Sequence, residues 1–330
     1  MYNKLLKNII ILLLITNLFF LIKRNKSEWQ KNFYKEMLGL YFENKKEFYA
    51  KGREYKMGRI GNPYNESNSI TFQDKLNYLL INESPENKTS IVDKILLRNY
   101  SKAKLGKDIC IPILKIYNDV DEINLEELPD KFVLKCNHGS AMNIFCYDKF
   151  KFNLSKAKSD LKSWMNINYG LLSFEYQYLN VKKRIFAEPL LEKEMINYKF
   201  SCFNGEPKLI RVKGLINGIN FYNIYYINWT ISNIEIDNDN YILTDKFKKP
   251  INLEKMINYS KLLSDDFCYC RVDFYEVNGT LFLGEITFTP FNSKINYKNN
   301  ETQILYNIIF CEFNNYFCKF KINIFRHLYI

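Results

Sequence analysis

Residues 270–290, CRVDFYEVNGTLFLGEITFTP, are the stretch that decides the fold we predict. Two apolar, strand-like segments flank Asn278 and Gly279, a pair that readily takes the positive φ angles of a tight hairpin. Each arm carries one carboxylate, Asp273 on the first arm and Glu285 on the second. Because side chains alternate between the two faces of a strand, the length of the turn decides whether these acids share a face.

Two turn lengths are compatible with this stretch. A two-residue turn places Val277 opposite Thr280 and sends the two acids to opposite faces of the hairpin. A three-residue turn, with its glycine in the left-handed region, places Asp273 opposite Glu285, and Thr287 then shares their face. Two carboxylates and a hydroxyl on one surface suit a hard cation such as Mg²⁺, which would bridge nucleotide phosphates. The alternative is a half-exposed hairpin whose acids face water, as is common on antiparallel sheets.

Length, composition and charge narrow the class of protein. The chain has 330 residues, which is enough for one large domain or two modest ones. Hydrophobic residues make up 47% and charged residues 25%, which argues against a largely disordered chain. The net charge of +11 favours anionic partners such as nucleotide phosphates, acidic glycans or anionic lipid. The sequence has no dense basic run and no nucleic-acid motif, so we expect no nucleic acid partner.

Residues 1–26 predict a single-pass transmembrane anchor. The apolar stretch 5–22 has the length of a short membrane-spanning helix, and no small-residue cleavage site follows it. More lysine and arginine residues follow this stretch than precede it, so the positive-inside tendency places the catalytic domain in the cytoplasm. A buried or interfacial helix is the alternative. We expect a helical and linker region at 27–69, followed by the main domain at 70–330.

Residues 131–147 predict a second hairpin, with strands at 131–135 and 143–147 joined by a turn. Lys135 ends the first strand, and a turn with free amides follows it, so charge and backbone donors together could cradle a phosphate. Taken alone, the pattern is equally that of an ordinary hairpin. Periodicity and turn residues also predict helices at 71–81, 90–105, 153–165 and 253–263, and strands at 109–117, 184–191, 220–227 and 228–236.

Six segments in this order resemble the TupA-like ATP-grasp family: TFQDKL, VDKILLRNY, LPDKFVLKCNHGS, AEPLL, YKFSCFNG and RVDFYEVNG…GEITFTP. The resemblance covers about residues 70–294. Members of that family are associated with bacterial cell-surface polysaccharide and teichuronopeptide synthesis, and some are labelled glycosyltransferases. The resemblance implies an α+β ATP-grasp fold over 70–330, in which two α+β subdomains with antiparallel sheets grip a nucleotide between them.

The resemblance also implies roles for individual residues. ATP would be bound by two lysines, by the phosphate loop and by a hinge acid that holds the adenine amine or ribose: Lys94, Lys135, Asn137, His138, Gly139, Ser140, Asn143 and Glu188. Lys199 and Arg271 would be catalytic and face the phosphates or an acyl phosphate, and Mg²⁺ would be held by Asp273, Glu285 and Thr287. Two departures affect the site. Ala141 and Met142 replace glycines of the family loop, and Asn197 stands where relatives commonly carry Asp.

The reaction implied is that of an ATP-dependent carboxylate–amine ligase. ATP would phosphorylate a substrate carboxylate to an acyl phosphate, and an amine would then displace the phosphate to form an amide. The expected partners are ATP, a carboxylate substrate, an amine or glycan acceptor, and the membrane through the N-terminal helix. The alternatives are a nucleotide-sugar-dependent glycosyltransferase of polysaccharide synthesis and a degenerate, non-catalytic, membrane-tethered member.

Overall fold

A computed structural model describes residues 36, 40, 43–57, 71–191, 195–236, 241–293, 298 and 302. The predicted anchor at 5–22 and the C-terminal tail beyond 302 lie outside the described residues. No helix within the described ranges is long and apolar enough to cross a membrane.

Two antiparallel sheets organise the described chain. The smaller sheet has the strand order β1-β4-β2-β3, formed by β1 Lys115–Tyr117, β2 Phe132–Cys136, β3 Asn143–Cys146 and β4 Ile185–Pro189. The larger sheet has the order β10-β9-β5-β6-β7-β8, formed by β5 Ile196–Phe203, β6 Glu206–Ile216, β7 Ile219–Tyr226, β8 Ile242–Leu243, β9 Tyr269–Val277 and β10 Thr280–Thr287. Only β8 pairs in parallel, with β7, among the described strands. The mixed α+β class with antiparallel sheets is therefore confirmed.

Seven helices connect and cover these strands in the described ranges: α1 Lys45–Met57, α2 Phe72–Asn82, α3 Glu86–Val92, α4 Leu97–Leu105, α5 Leu154–Met165, α6 Tyr169–Ser173 and α7 Leu253–Ser264. A capping box starts α2, since Thr71 and Asp74 exchange hydrogen bonds between side chain and backbone. Gly106 ends α4 with a φ of +72°, a conformation in which glycine avoids the Cβ penalty.

Three predicted elements differ from the structure. The strand expected at 109–117 is reduced to β1 Lys115–Tyr117, with an isolated bridge between Cys110 and Leu283 before it, because Pro112 has no amide hydrogen to donate to a sheet. The single helix expected at 90–105 is divided into α3 and α4, because the carboxylate of Asp93 accepts a hydrogen bond from the Ile95 amide and the Asp93 backbone is extended. The strand expected at 228–236 is absent from the described sheet. Single bridge residues remain at Ile231, which pairs with Tyr225, and at Ile236. The turn at 226–230 takes up the backbone hydrogen bonds before them.

Each sheet buries one face against helices and turns the other face towards the cleft between the sheets. On β9, Val272 and Phe274 pack in the apolar core with Met256 and Leu263 of α7. Their alternating neighbours on β9 therefore project to the opposite face of the sheet. In the smaller sheet, alternate residues of β2 and β4 pack against Leu161 of α5. This two-sided arrangement leaves polar side chains from both sheets available to a common cleft.

Helix α1 lies within the helical and linker region expected at 27–69, and it packs onto the main domain. Phe48 and Tyr49 join an apolar cluster with Tyr176, whose ring stacks on Tyr49 at a centroid distance of 4.1 Å. Arg53 is 1% exposed, and its guanidinium donates to Asn77 Oδ1 and to the side chain and backbone oxygens of Asn292 at 2.6–2.9 Å. A buried cation with several donated hydrogen bonds makes α1 an integral part of the domain core.

Candidate functional site

The β9–β10 hairpin has the shorter of the two turns considered from the sequence. Val277 pairs with Thr280, so only Asn278 and Gly279 lie in the turn. Both have positive φ angles, 50° and 73°, which match the twist of a tight two-residue hairpin. Taken alone, this turn would direct the two carboxylates to opposite faces, as the alternation of side chains requires.

A β-bulge in β10 reverses that outcome. The register shifts by one residue between Leu283 and Glu285, so Gly284 is the extra residue and Glu285 pairs with Asp273. A Cβ atom added to Gly284 would lie 2.6 Å from Cε2 of Tyr275, closer than carbon atoms can approach. Glycine is thus required where the bulge passes the tyrosine ring. The facing acids are found as predicted for the longer turn, but the bulge, not a three-residue turn, places them there.

Asp273 is the centre of a charge cluster on this face. It is fully buried, and its carboxylate accepts hydrogen bonds from Arg271 at 2.6 and 2.7 Å and from the Lys199 ammonium. Arg271 also donates to Glu285 at 3.1 Å. Burial opposes ionisation of Asp273, but the charges of Arg271 and Lys199 outweigh it and hold the pKa of this carboxyl below its usual value. The two predicted catalytic cations and two of the predicted metal ligands therefore form one cluster.

Thr287 lies two residues beyond Glu285 and pairs with Arg271, so the hairpin places it on the same face as the acids. Within the described residues it does not line the cavity next to this cluster. Its predicted role as a third metal ligand remains a prediction.

A cavity of about 190 Å³ lies between the two sheets and joins side chains from distant parts of the chain. Its lining includes seven of the residues predicted for ATP, catalysis or metal: Lys94, Lys135, Ser140, Asn143, Glu188, Lys199 and Glu285. The Lys135 ammonium is paired with Glu188, and Lys94 donates to the carbonyl oxygen of Gly139. Burial lowers the pKa of Lys94, which an anion bound nearby would raise again. The cavity therefore brings three lysine side chains together with the carboxylates of Glu188 and Glu285.

A second cavity, of about 330 Å³, adjoins the first, since both are lined by Asn197, Lys199 and Tyr275. Lys213 lines it and has no carboxylate partner among the described residues, and its ammonium lies 3.6 Å from the ring centroid of Tyr241. Burial, together with the nearby cations of Arg211, Lys199 and Arg271, lowers the pKa of Lys213 to about 7. Lys213 was not among the residues predicted from the sequence, although its spacing of two from Arg211 on one strand is a signal that two cations share a face.

The predicted phosphate loop follows β2, and two of its residues face away from the cavity. The Asn137 side chain donates to the Lys182 carbonyl oxygen at 2.9 Å and accepts from the Arg184 amide at 2.7 Å. The His138 ring nitrogen Nε2 lies 3.2 Å from the Trp164 carbonyl oxygen, and burial lowers the pKa of this histidine to about 4. Neither residue lines the cavity in the described structure, so both brace the loop from behind. A direct side-chain contact of either residue with nucleotide remains a prediction.

Gly139 allows the loop to pack closely against its neighbours. A Cβ atom at this position would lie 2.9 Å from Cγ of Tyr169 and from Cε of Met142. Ala141, in place of a family glycine, adopts the positive φ of 59° that a glycine there would take more easily. Ala141 thus holds a left-handed backbone conformation at a cost in strain for a residue with a Cβ.

The two antiparallel sheets thus form a cavity that is lined by three lysines, Lys94, Lys135 and Lys199, and by the carboxylates of Glu188 and Glu285. The family model described as TupA-like ATPgrasp matches residues 74–309, well over half of the chain. The chain therefore belongs to the TupA-like ATP-grasp family. A comparison with curated proteins gives no significant match.

Solved structures with detectable similarity include enzymes of several kinds. D-alanine–D-alanine ligase from Bacillus anthracis complexed with ATP is 16% identical, with a TM-score of 0.33, 60% of this chain covered and 54% of that chain. L-amino acid ligase from Bacillus licheniformis is 12% identical, with a TM-score of 0.35, and the match covers 61% of this chain and 41% of that chain. Biotin carboxylase from Campylobacter jejuni is 9% identical, with a TM-score of 0.38, and the match covers 62% of this chain and 41% of that chain. The chain thus spans about half of the length of these proteins, and similarity of this extent carries no information on its substrates.

Proposed function

We propose that this protein is an ATP-dependent carboxylate–amine ligase that works through an acyl phosphate. The observation that carries the proposal is the convergence of Lys94, Lys135 and Lys199 on one cavity whose wall also contains Glu285. These residues come from different elements of a chain that belongs to an ATP-grasp family. Positioned cations around a polyanion are the main requirement of phosphoryl transfer, in which the protein does little covalent chemistry of its own.

The two adjoining cavities provide the room for the nucleotide. Ligand pockets usually measure about 300–1,000 Å³. The second cavity, of about 330 Å³, is at the lower end of this range, and the adjoining cavity of about 190 Å³ adds to it. Asn197 lies where they meet, and its buried Oδ1 has no hydrogen-bond donor among the described residues. A ribose hydroxyl would supply that donor. We therefore place the phosphates beside Lys94, Lys135 and Lys199, and the ribose beside Asn197.

The acid pair fits Mg²⁺ in donor type. Mg²⁺ takes hard oxygen ligands and is usually held by one or two carboxylates together with substrate phosphates. Asp273 and Glu285 face each other across the hairpin, and no cluster of three or more potential metal-binding side chains occurs among the described residues. Two carboxylates, with nucleotide phosphates completing the coordination, match that pattern. When bound there, Mg²⁺ would neutralise charge between the terminal phosphates.

The proposed reaction has two steps. A substrate carboxylate oxygen attacks the γ-phosphorus of ATP, ADP leaves, and an acyl phosphate forms. An amine then attacks the carbonyl carbon, inorganic phosphate leaves, and the amine loses a proton as the amide forms. Lys199 and Arg271 lie beside the acid pair, where their charges can offset the negative charge that develops on the transferring group.

The acyl phosphate can be tested without knowing the natural amine. Hydroxylamine traps acyl phosphates as hydroxamates, so the full chain is incubated with ATP, Mg²⁺, hydroxylamine and a panel of amino acids and uronic acids. We expect hydroxamate to form with at least one carboxylate, and at least a hundredfold less in Asp273→Asn or Glu285→Gln. Asp121→Asn changes an exposed aspartate that lines neither cavity, so it is the matched control and should keep full activity. Equal activity of Asp273→Asn and the control would exclude the metal assignment.

A thermal-shift comparison separates the ligase from a sugar transferase. ATP with Mg²⁺ should raise the melting temperature, since a ligand that binds only the folded state stabilises it, whereas UDP-sugars should not. A shift with UDP-sugars alone would favour the glycosyltransferase. The association with cell-surface polysaccharide or teichuronopeptide synthesis, suggested by the family resemblance, belongs to this proposal, as does a membrane-anchored, cytoplasmic location.

A further inference from the structure

One nitrogen atom of Arg271 contacts both carboxylates that face each other on the β9–β10 hairpin. Its Nη2 donates to Asp273 Oδ2 at 2.7 Å and to Glu285 Oε1 at 3.1 Å. Nε of the same guanidinium donates to the other oxygen of Asp273, Oδ1, at 2.6 Å. The two predicted metal ligands are therefore bridged by a cation that belongs to the protein.

Lys199 adds a second cation to the same carboxylate. Its ammonium donates to Oδ2 of Asp273, the oxygen that Nη2 of Arg271 also contacts. Both oxygens of Asp273 are thus hydrogen-bonded to positive charges, and this side chain is 1% exposed. A buried carboxylate needs such partners, because an unpaired charge is costly to remove from water. The pairing therefore satisfies Asp273 without any further cation.

The two acids differ in their access to the cavity beside them. Glu285 lines the cavity of about 190 Å³, and its side chain is 32% exposed. Asp273 is not among the described residues that line this cavity, whereas Lys199, whose ammonium is bound to it, lines the wall. An ion that enters from the cavity therefore meets one open carboxylate and a second one that cations cover.

A divalent ion and the guanidinium of Arg271 compete for the same oxygens. Since Mg²⁺ binds oxygen at about 2.0–2.1 Å, an ion on Asp273 Oδ2 would lie within about 5 Å of Nη2 of Arg271. Positive charges at that separation repel each other strongly in a partly buried site. The acid pair therefore binds such an ion only weakly while Arg271 keeps these hydrogen bonds.

Nucleotide phosphates can release the acids from this pairing. Guanidinium groups bind phosphate oxygens in the same bidentate manner in which they bind carboxylates. Phosphates placed beside Lys199, as in the proposed function, would lie next to a cation that is already bound to Asp273. They would therefore compete with this carboxylate for its cations and leave its oxygens to a metal.

We propose that Arg271 and Lys199 close the acid pair to a free divalent ion, and that they open it only when nucleotide phosphates take over their hydrogen bonds. Metal binding and nucleotide binding are then coupled, since each ligand favours the arrangement that the other requires. The inference rests on the proposed function for the nucleotide, but the closure of the acid pair towards a metal is a property of the protein alone.

Titration of the full chain with Mn²⁺, a paramagnetic substitute for Mg²⁺, measures this closure without nucleotide. Free Mn²⁺ is read from its electron paramagnetic resonance signal. We expect a dissociation constant above about 1 mM for the wild type and one at least about tenfold lower for Arg271→Met, because this variant removes the bridging charge. Lys199→Met removes the second charge and should lower the constant by about threefold or more.

Two control variants tie the effect to the acid pair. Arg184→Met removes an arginine from another buried carboxylate, that of Asp93, at 3.4 Å, and neither residue is among those that line the two cavities. Its Mn²⁺ affinity should equal that of the wild type, because one isolated carboxylate makes a weak site for a divalent ion. The double variant Arg271→Met, Asp273→Asn should lose the gain, since one of the two acids is removed.

The titrations decide the proposal in either direction. Tighter Mn²⁺ binding in Arg271→Met that is absent from Arg184→Met and from the double variant supports the closure. Equal constants in Arg271→Met and the wild type overturn it, and so does a wild-type constant below about 0.1 mM without nucleotide. If Arg271→Met does not fold, Lys199→Met and the wild-type constant decide the question in the same way.

A non-hydrolysable ATP analogue separates this proposal from the proposed function. Water proton relaxation distinguishes Mn²⁺ held by the protein and the analogue together from Mn²⁺ held by the analogue alone. The wild-type chain should bind Mn²⁺ about a hundredfold more tightly with the analogue than without it, and Arg271→Met should gain less. If the wild type binds no analogue, the proposed function fails, and the titration without nucleotide still decides the closure. If it binds the analogue but holds Mn²⁺ equally well without it, the proposed function stands and the closure is overturned.

Discussion

Protonation of His138 should destabilise this protein in a pH range where ordinary carboxylates are still ionised. His138 is 2% exposed, its Nε2 faces the Trp164 carbonyl oxygen, and its buried Nδ1 has no partner within the described residues. Burial, with the nearby cations Lys183 and Lys94, lowers its pKa from 6.5 to about 4. The unfolded chain therefore binds one more proton than the folded chain between these two values, so stability falls as the pH falls through this window.

The size of this effect follows from the pKa gap. Each pH unit of the gap is equivalent to about 1.4 kcal/mol, so the full window from 6.5 to about 4 gives a loss of about 3 kcal/mol. About 2 kcal/mol of this loss falls between pH 7 and pH 5, above the range where ordinary carboxylates titrate. A typical domain is stable by about 5–15 kcal/mol, so the loss is large enough to measure.

Urea unfolding at several pH values between 7 and 5 measures the loss, with tryptophan fluorescence as the signal. His138→Gln is the comparison, because its amide can still donate to the Trp164 carbonyl oxygen but does not titrate. We expect the variant to lose about 2 kcal/mol less than the wild type over this range. His327, the other histidine in the sequence, is common to both proteins and cancels in the difference. An equal loss of unfolding free energy between pH 7 and pH 5 in the wild type and in His138→Gln would refute the reasoning.

Three further substitutions test other parts of the structure. Gly284→Ala should destabilise the fold by about 2 kcal/mol in urea unfolding, because the added Cβ overlaps the Tyr275 ring. If Gly284→Ala costs as much in a Tyr275→Val background, that overlap is not the cause. Lys213→Gln should weaken ATP binding at pH 6 but hardly at pH 8.5, since the pKa of Lys213 is about 7. Lys248→Gln, at an exposed position, is the control and should leave the ATP affinity unchanged at both pH values. Arg53→Met should cost about 3 kcal/mol in thermal or urea unfolding, because buried asparagine oxygens lose their donors, and a loss below about 0.5 kcal/mol would show those hydrogen bonds to be unimportant.

The sequence predicted the arms and the acids of the hairpin, but turn length alone could not decide their relative orientation. The two-residue turn at Asn278 and Gly279 would have separated the acids, and Gly284 corrects the register further along the strand. A glycine inside a strand pattern often marks a bulge, so Gly284 was the one signal in the hairpin sequence that indicated this change of register. The pairing of Glu285 with Asp273 therefore depends on Gly284, and it can be predicted only when the turn and the bulge are considered together.

Other parts of the site depend on packing between distant segments, which local patterns do not reveal. Lys94, Lys135 and Lys199 could be predicted to share a site because a family resemblance supplied their order. Tyr169 has no such motif, and only the fold brings its ring against Gly139 of the loop. His138 shows the reverse case, since its place in the loop was predicted from the sequence but its orientation towards Trp164 was set by helix α5.

The position of Arg53 has a practical consequence for recombinant fragments of this protein. Its side chain crosses from α1 to Asn292, a partner 239 residues away in the sequence. A fragment cut at residue 74, where the family match begins, would remove this arginine and uncover the apolar surface around Tyr176. Such a fragment would expose this apolar surface to solvent and would tend to aggregate during purification. Expression trials should therefore begin their coding region upstream of Lys45.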